Sequence, residues 1–489
     1  MKQTTHLLPL TMLLAACTPN EKEAQLLPMA VTITPDYTDV TLPPNLAPIR
    51  FALTDSCQLE QAQAIFEAGG QKLVLAESAG QFAIDPADWK NLIGKADTIR
   101  VRIQGKQDGK WVEYQPFKLF ISADPIDPYM AYRLIEPGYE VWGEMGIYQR
   151  CLETYDEEAI ITNLQTDGGC MNCHSFQQRD PEQMLFHLRK ELGGTYMIRK
   201  GQIEKLNTKT DETVSALVYP SWHPSGRYVA FSTNITQQAY HSTDVNRIEV
   251  FDKESDVVIY DTEQHEIFSC PQLKSKAAFE TFPTFSADGT KLYYCSADSL
   301  NVLQQYDQVR YALCAIDFND GEFGSQVDTL YHARPAGMEE AGSVSFPRVS
   351  PDGRWLLFTV ASYGQFSIWH RDADLWMIDL YDGSLHRADA ANSQETDSYH
   401  SWSSNSRWVA FSSRRIDGLY TQPYLTHVDA DGRCTKAVLV PQRDVHYYDR
   451  LMKSYNIPEL ISGHVDVSAN AIEQTARHEK GIDLKFNPK

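Results

Sequence analysis

Long apolar runs are scarce in these 489 residues. Beyond the first 17 positions, no stretch approaches the ~18–20 consecutive apolar residues a membrane-spanning helix needs, so the body of the chain is expected outside the bilayer. Positive charge is also in short supply. Lys and Arg number 44 against 65 Asp and Glu, giving a net charge of −21 and a pI near 5.1. A polyanion of this kind is a poor match for nucleic acid. The signatures of common hydrolases and nucleotide enzymes are missing: there is no G-x-S-x-G elbow, no P-loop and no H-E-x-x-H. Cysteine is sparse, and Cys57, Cys151, Cys270, Cys295, Cys314 and Cys434 are scattered singly.

One exception stands out, Cys170-Met171-Asn172-Cys173-His174. C-x-x-C-H is the spacing of covalent haem attachment. Each thiol can add to one vinyl group of the porphyrin, and the adjacent imidazole can reach the iron as axial ligand. On the residues alone three other readings stay open. A structural zinc site calls for a second close Cys or His pair, a thioredoxin-like redox pair calls for a βαβ setting, and a local disulfide needs only an exported protein.

The N-terminus bears on that choice. Lys2 supplies a positive charge, Leu7 to Leu14 a short apolar run interrupted by Pro9, and Leu14-Ala15-Ala16-Cys17 the small residues of a processing site. These residues resemble the lipobox of bacterial lipoprotein signals. The resemblance implies that residues 1–17 are a signal peptide, that Cys17 is lipidated, and that 18–30 form a tether. Thr18, in place of an aspartate, implies the outer membrane. The expected location is the bacterial cell envelope, with membrane contact through the lipid anchor. Haem c is attached outside the cytoplasm, so the two motifs support each other.

From residue 31 to 123 short alternating segments such as Ile49–Leu53, Gln71–Leu75, Thr98–Ile103 and Phe117–Ile121 predict a β-sandwich of immunoglobulin type. Asp124-Pro125-Ile126-Asp127-Pro128 marks a stiff boundary. Residues 124–214 are expected to form a first blade region carrying a short helical haem c insert at about 168–201. Asp180 to Leu192 reads as a helix, placing Met184 and His187 on one face as candidate sixth ligands. Met197 is a weaker candidate, with His223 and His241 behind it.

A repeat follows. Tyr219-Pro220-Ser221-Trp222-His223-Pro224-Ser225-Gly226-Arg227 recurs from Phe282, Phe346 and Tyr399, at spacings of 63, 64 and 53 residues. Repetition at this period points to a propeller or solenoid. An aromatic-led strand, a Ser-Pro-Asp-Gly turn and a second apolar strand fit a propeller blade. The copies resemble the TolB-like, WD40-like (PD40) β-propellers, whose repeat centres on W-S-P-D-G-R. The third copy, Ser350-Pro351-Asp352-Gly353-Arg354, is the best match, whereas the fourth has Asn405-Ser406 for Asp-Gly. The resemblance implies blades over 215–441, five or six in all, with 442–489 packing on the propeller.

The fold expected is therefore all-β: a sandwich, then a propeller holding a haem motif. The function expected is that of a membrane-anchored monohaem c-type cytochrome with one covalent haem c, an electron carrier rather than an enzyme, serving a redox protein or other envelope protein. Two alternatives stand beside it. One is a non-enzymatic propeller lipoprotein binding a protein or glycan; the other is a haem enzyme or sensor with an open iron site.

Overall fold

A computed structural model describes residues 20–54, 57–136, 143–332 and 342–488. Cys17 and the signal segment lie outside the described residues. Six sheets, each built on four antiparallel strands, succeed one another around an axis, and two of them carry a short parallel fifth strand, Ile482–Asp483 and Lys485–Phe486. Blade 1 comprises Tyr129–Ile135, Gly146–Cys151 and Glu157–Thr162, and its fourth strand, Ser454–Ile461, returns from near the C-terminus. Blade 2 runs through Met171–Phe176, Gln183–Leu188, Gly194–Arg199 and Gln202–Asn207. Blades 3 to 6 begin with Leu217–Trp222, Ala278–Phe285, Ser343–Val349 and Asp397–Trp402. These four strands, with Met171–Phe176 and Ser454–Ile461, touch one another in sequence and close the inner ring. The protein is a six-bladed β-propeller.

Two repeated devices explain why these sequences make blades. The first is the turn after each inner strand. In blade 5, Ser350 Oγ donates to Asp352 Oδ1 at 2.5 Å, and Gly353 takes φ +76°, a conformation open to glycine without penalty. The turn's Arg354 then reaches Asp379, at the end of the third strand, at 2.9 Å, as Arg227 reaches Asp261 at 2.8 Å in blade 3. The second device is a bulge halfway along every inner strand. Cys173, Tyr219, Phe282, Phe346, Tyr399 and Ile457 all adopt φ between +48° and +54°, each beside a shift in register. Bulky residues rarely tolerate this region, so six coincident outliers mark a built-in kink that re-aims side chains toward the axis.

Ahead of the propeller, a seven-stranded and a three-stranded sheet enclose a core in which Phe51 and Phe82 of one meet Phe66 and Phe117 of the other. This core is continuous with that of blades 5 and 6. Trp408 Nε1 donates to the Asp124 carbonyl at 2.9 Å, and Ser404 N donates to Asp127 Oδ2 at 2.8 Å, so the junction is rigid.

The short helical insert expected at 168–201 is not present. Those residues are strands of blade 2, and Asp180 to Leu192 contains the strand Gln183–Leu188 rather than a helix. Met184 to Leu188 is a wholly buried run, and such a run carries no period to separate helix from strand. The region 124–214 accordingly supplies strands to two blades, not one.

Candidate functional site: the axial pocket

Six blades of kinked strands leave a pocket on the axis, with a volume of about 390 Å³. That lies in the lower part of the roughly 300–1,000 Å³ span of small-molecule sites. Every blade contributes to its wall. Aromatic bulge residues pack ring on tilted ring: Tyr219 on Phe282, Phe282 on Phe346 and Phe346 on Tyr399, each pair of centroids 4.5 Å apart. The arc is open on one side, where the bulge residues are Cys173 of blade 2 and Ile457 of blade 1.

Cys173 and His174 line this pocket. His174 is 3% exposed, and no side chain bonds either ring nitrogen among the described residues. Burial, reinforced by the positive charge of Arg133, pushes its pKa down to about 3, opposed by a hydrogen bond with the backbone of Ile457. The imidazole is therefore neutral at physiological pH. Elsewhere in blades 1 and 2, Arg133 Nε, Asn172 Oδ1 and Asn456 Oδ1 are buried without a partner, whereas buried polar atoms normally find one.

Cys170 and Cys173 are both free thiols. Burial raises the Cys173 pKa; the Tyr219 backbone amide, Arg133 and Arg189 lower it, and nearby Cys170 raises it again. Cys170 is half-buried at the foot of the inner strand, against the apolar cluster between blades 1 and 2, and does not line the pocket. No group of three or more His, Cys, Asp or Glu among the described residues is arranged to hold a metal ion. A porphyrin-bound iron does not require one, since the macrocycle itself provides the equatorial ligands.

The three sixth-ligand candidates lie elsewhere. Met184 is fully buried between blades 1 and 2, and Met197 between blades 2 and 3. His187 packs on Phe231, and its Nδ1 pairs with Thr195 Oγ1 at 2.7 Å. Met184 and His187, an odd number apart on a strand, face opposite sides rather than sharing a face. His223 is held by Ser225 and the Gly289 carbonyl.

Three other residues of the pocket escaped the sequence reading: Arg179, Arg348 and Glu459. Arg179 Nε donates to the Trp402 carbonyl at 2.7 Å, and Arg348 Nη1 to the Pro347 carbonyl at 2.9 Å. Glu459 Oε1 accepts from Phe176 N at 3.0 Å, and burial pushes its pKa up to about 7 against the pull of both arginines. A signal for the pocket was nevertheless present. Cys173-His174-Ser175-Phe176 and Ile457-Pro458-Glu459-Leu460 occupy the same place as Tyr219-Pro220-Ser221-Trp222, and Tyr399-His400-Ser401-Trp402 shows that His replaces Pro in the repeat.

No family model matches the chain, and no curated protein matches it. Among solved structures it is similar to the periplasmic gluconolactonase of Pseudomonas aeruginosa, at 12% identity and TM-score 0.33, over 78% of this chain and 97% of that one. Prolyl oligopeptidase B from Galerina marginata gives 9% identity and TM-score 0.34, over 70% of this chain and 42% of that one. A Lactobacillus plantarum protein gives 15% identity and TM-score 0.32, over 64% of this chain and 97% of that one. Likeness at this level carries no function across.

Proposed function

We propose that the chain is a lipid-anchored protein of the bacterial envelope that carries one covalent haem c in its propeller and transfers electrons to or from a redox partner. The observation that carries this reading is His174: a buried, neutral imidazole that no side chain pairs, lining the axial pocket beside Cys173. The propeller repeat accounts for a histidine here, as His400 shows, but not for the two thiols, which replace an aromatic ring and a strand-foot residue. Cys170 and Cys173 would hold the macrocycle and His174 its iron, and the bound group would supply one-electron chemistry. The protein's part is to hold the imidazole neutral and in place, to wall the site with aromatic rings, and to keep most bulk water out. A pocket of about 390 Å³ covers only part of a porphyrin, leaving an edge at the mouth for electron exchange. The sandwich, read as immunoglobulin-like, serves as a spacer from the membrane to which Cys17 is anchored.

The test is direct. Protein exported in a host competent for haem attachment should keep haem peroxidase stain after denaturation, and Cys170→Ala with Cys173→Ala should lose it. A colourless wild type would sink the reading.

A further inference from the structure

The chain carries a net charge of −21, yet two buried arginines line its axial pocket. Arg179 and Arg348 line the pocket from blades 2 and 5, and no ion pair holds either one among the described residues. Each donates one N–H to a backbone carbonyl, which restrains the guanidinium, and both residues line the cavity. Arg348 lies 5.2 Å from the Phe346 ring centroid, a stacked placement that further restricts it. The acidic side chain that shares the cavity, Glu459, bonds to the Phe176 amide instead of to either arginine.

Burial lowers the pKa of both guanidiniums, and the charges of Glu459 and Asp127, which form no ion pair with either, only partly offset it; an anion that presents a flat, two-oxygen face to the fork of donors would complete the offset. A carboxylate has that face. Between the arginines stand the indoles of Trp222 and Trp402, whose ring nitrogens are tied to the Ser175 and Arg348 carbonyls at 3.4 and 3.1 Å. The walls therefore present apolar ring surface beside charged donors. Together these suit an amphipathic anion with an apolar body and more than one carboxylate.

We propose that Arg179 and Arg348 form a carboxylate-binding pair in the wall of the axial pocket, taking the two carboxylates of a single ligand. Two sources share this chemistry: the propionates of the haem of the preceding section, on which the first source rests, or a free dicarboxylate.

Calorimetric titration of the full-length Cys170→Ala/Cys173→Ala variant, haem-free, separates them. Mesoporphyrin IX, its dimethyl ester and succinate are the probes. If the ligand is a porphyrin, mesoporphyrin binds, esterification weakens it at least tenfold, and adding Arg179→Gln or Arg348→Gln does the same. If the ligand is a free dicarboxylate, succinate binds with the same arginine dependence. Titrations in which neither probe responds to either arginine overturn the proposal. A second arm uses the haem-loaded chain, where Arg348→Gln should lower the reduction potential while the covalent stain persists. An unchanged potential together with arginine-independent titrations leaves haem attachment intact and removes the carboxylate pair. Conversely, a colourless wild type that still binds succinate through the arginines keeps the pair and removes the haem.

Discussion

Blades 2 and 6 are the two places where the propeller repeat substitutes histidine for proline, and they use it in opposite ways. In blade 6 the bulge residue is Tyr399, whose ring packs on Phe346 at 4.5 Å, and His400 Nε2 pairs with the Leu357 carbonyl at 3.0 Å. In blade 2 the bulge residue is Cys173, no ring fills the gap, and no side chain pairs with His174. Both imidazoles are buried, and desolvation pushes both pKa values down to about 3. One backbone device thus yields a packed wall in one blade and uncommitted chemistry in the other. A typical intramolecular hydrogen bond contributes about 0.5–1.5 kcal/mol, so the bond of His400 Nε2 to the Leu357 carbonyl favours stability in blade 6. The contrast locates a site without reference to any ligand.

The comparison can be broken in four ways. The largest effect is all-or-none: exchanging the paired thiols for alanine should abolish covalent pigment, whereas Tyr399→Ala should leave the stain intact, as gel-based haem staining will read. Next comes packing. In the haem-free chain Tyr399→Ala should cost about 3–5 kcal/mol, the scale of a truncated buried aromatic, against about 1 kcal/mol for Cys173→Ala. Urea denaturation measures both, and equal losses would mean that the arc of rings has no role in stability. The imidazoles differ by less. His400→Phe orphans the Leu357 carbonyl and should cost about 1–2 kcal/mol, while His174→Phe in the same background should be nearly neutral. A large loss at His174 would show that its ring is already satisfied.

The smallest effect is in acid. His400 has a folded pKa of about 3 against an ordinary 6.5, so the folded state holds the neutral form and the unfolded chain binds the proton first. Stability from this group is complete above pH 6.5 and is lost as pH falls from there toward 3, at up to about 1.4 kcal/mol per pH unit. His187, also pushed to about 3 by burial, adds in the same direction. His400→Phe should flatten the slope of stability between pH 6 and 4, and a slope identical to wild type would contradict the assignment.

How much of this was legible in the residues depends on the blade. Blades 3 to 6 announce themselves because Ser-Pro-Asp-Gly turns recur beside aromatic-led strands. Blade 1 does not, because its inner strand Ser454–Ile461 pairs with Tyr129–Ile135 far upstream, and no local window contains both. Blade 2 was hidden for another reason. Its first turn lacks the signature, and Gln178 and Arg179 themselves take the left-handed conformation, at φ +46° and +67°, that glycine takes elsewhere. With that cue gone, the buried run Met184 to Leu188 passed for a helix. The motif Cys170 to His174 was plain, but its setting was not. Arg179 and Arg348 could not be paired from sequence at all, since only ring closure brings blades 2 and 5 to one cavity.

The strand Ser454–Ile461 has one more consequence, and it concerns order in time. Blade 1 stays a three-stranded fragment until this strand arrives, far downstream of Tyr129–Ile135, so the inner ring closes only after the strands of blades 2 to 6 have been made. When it docks, Ile457 and Glu459 take their places beside Cys173 and His174, and the axial pocket gains its last wall. The clasp of the ring and the wall of the cavity are thus one and the same strand.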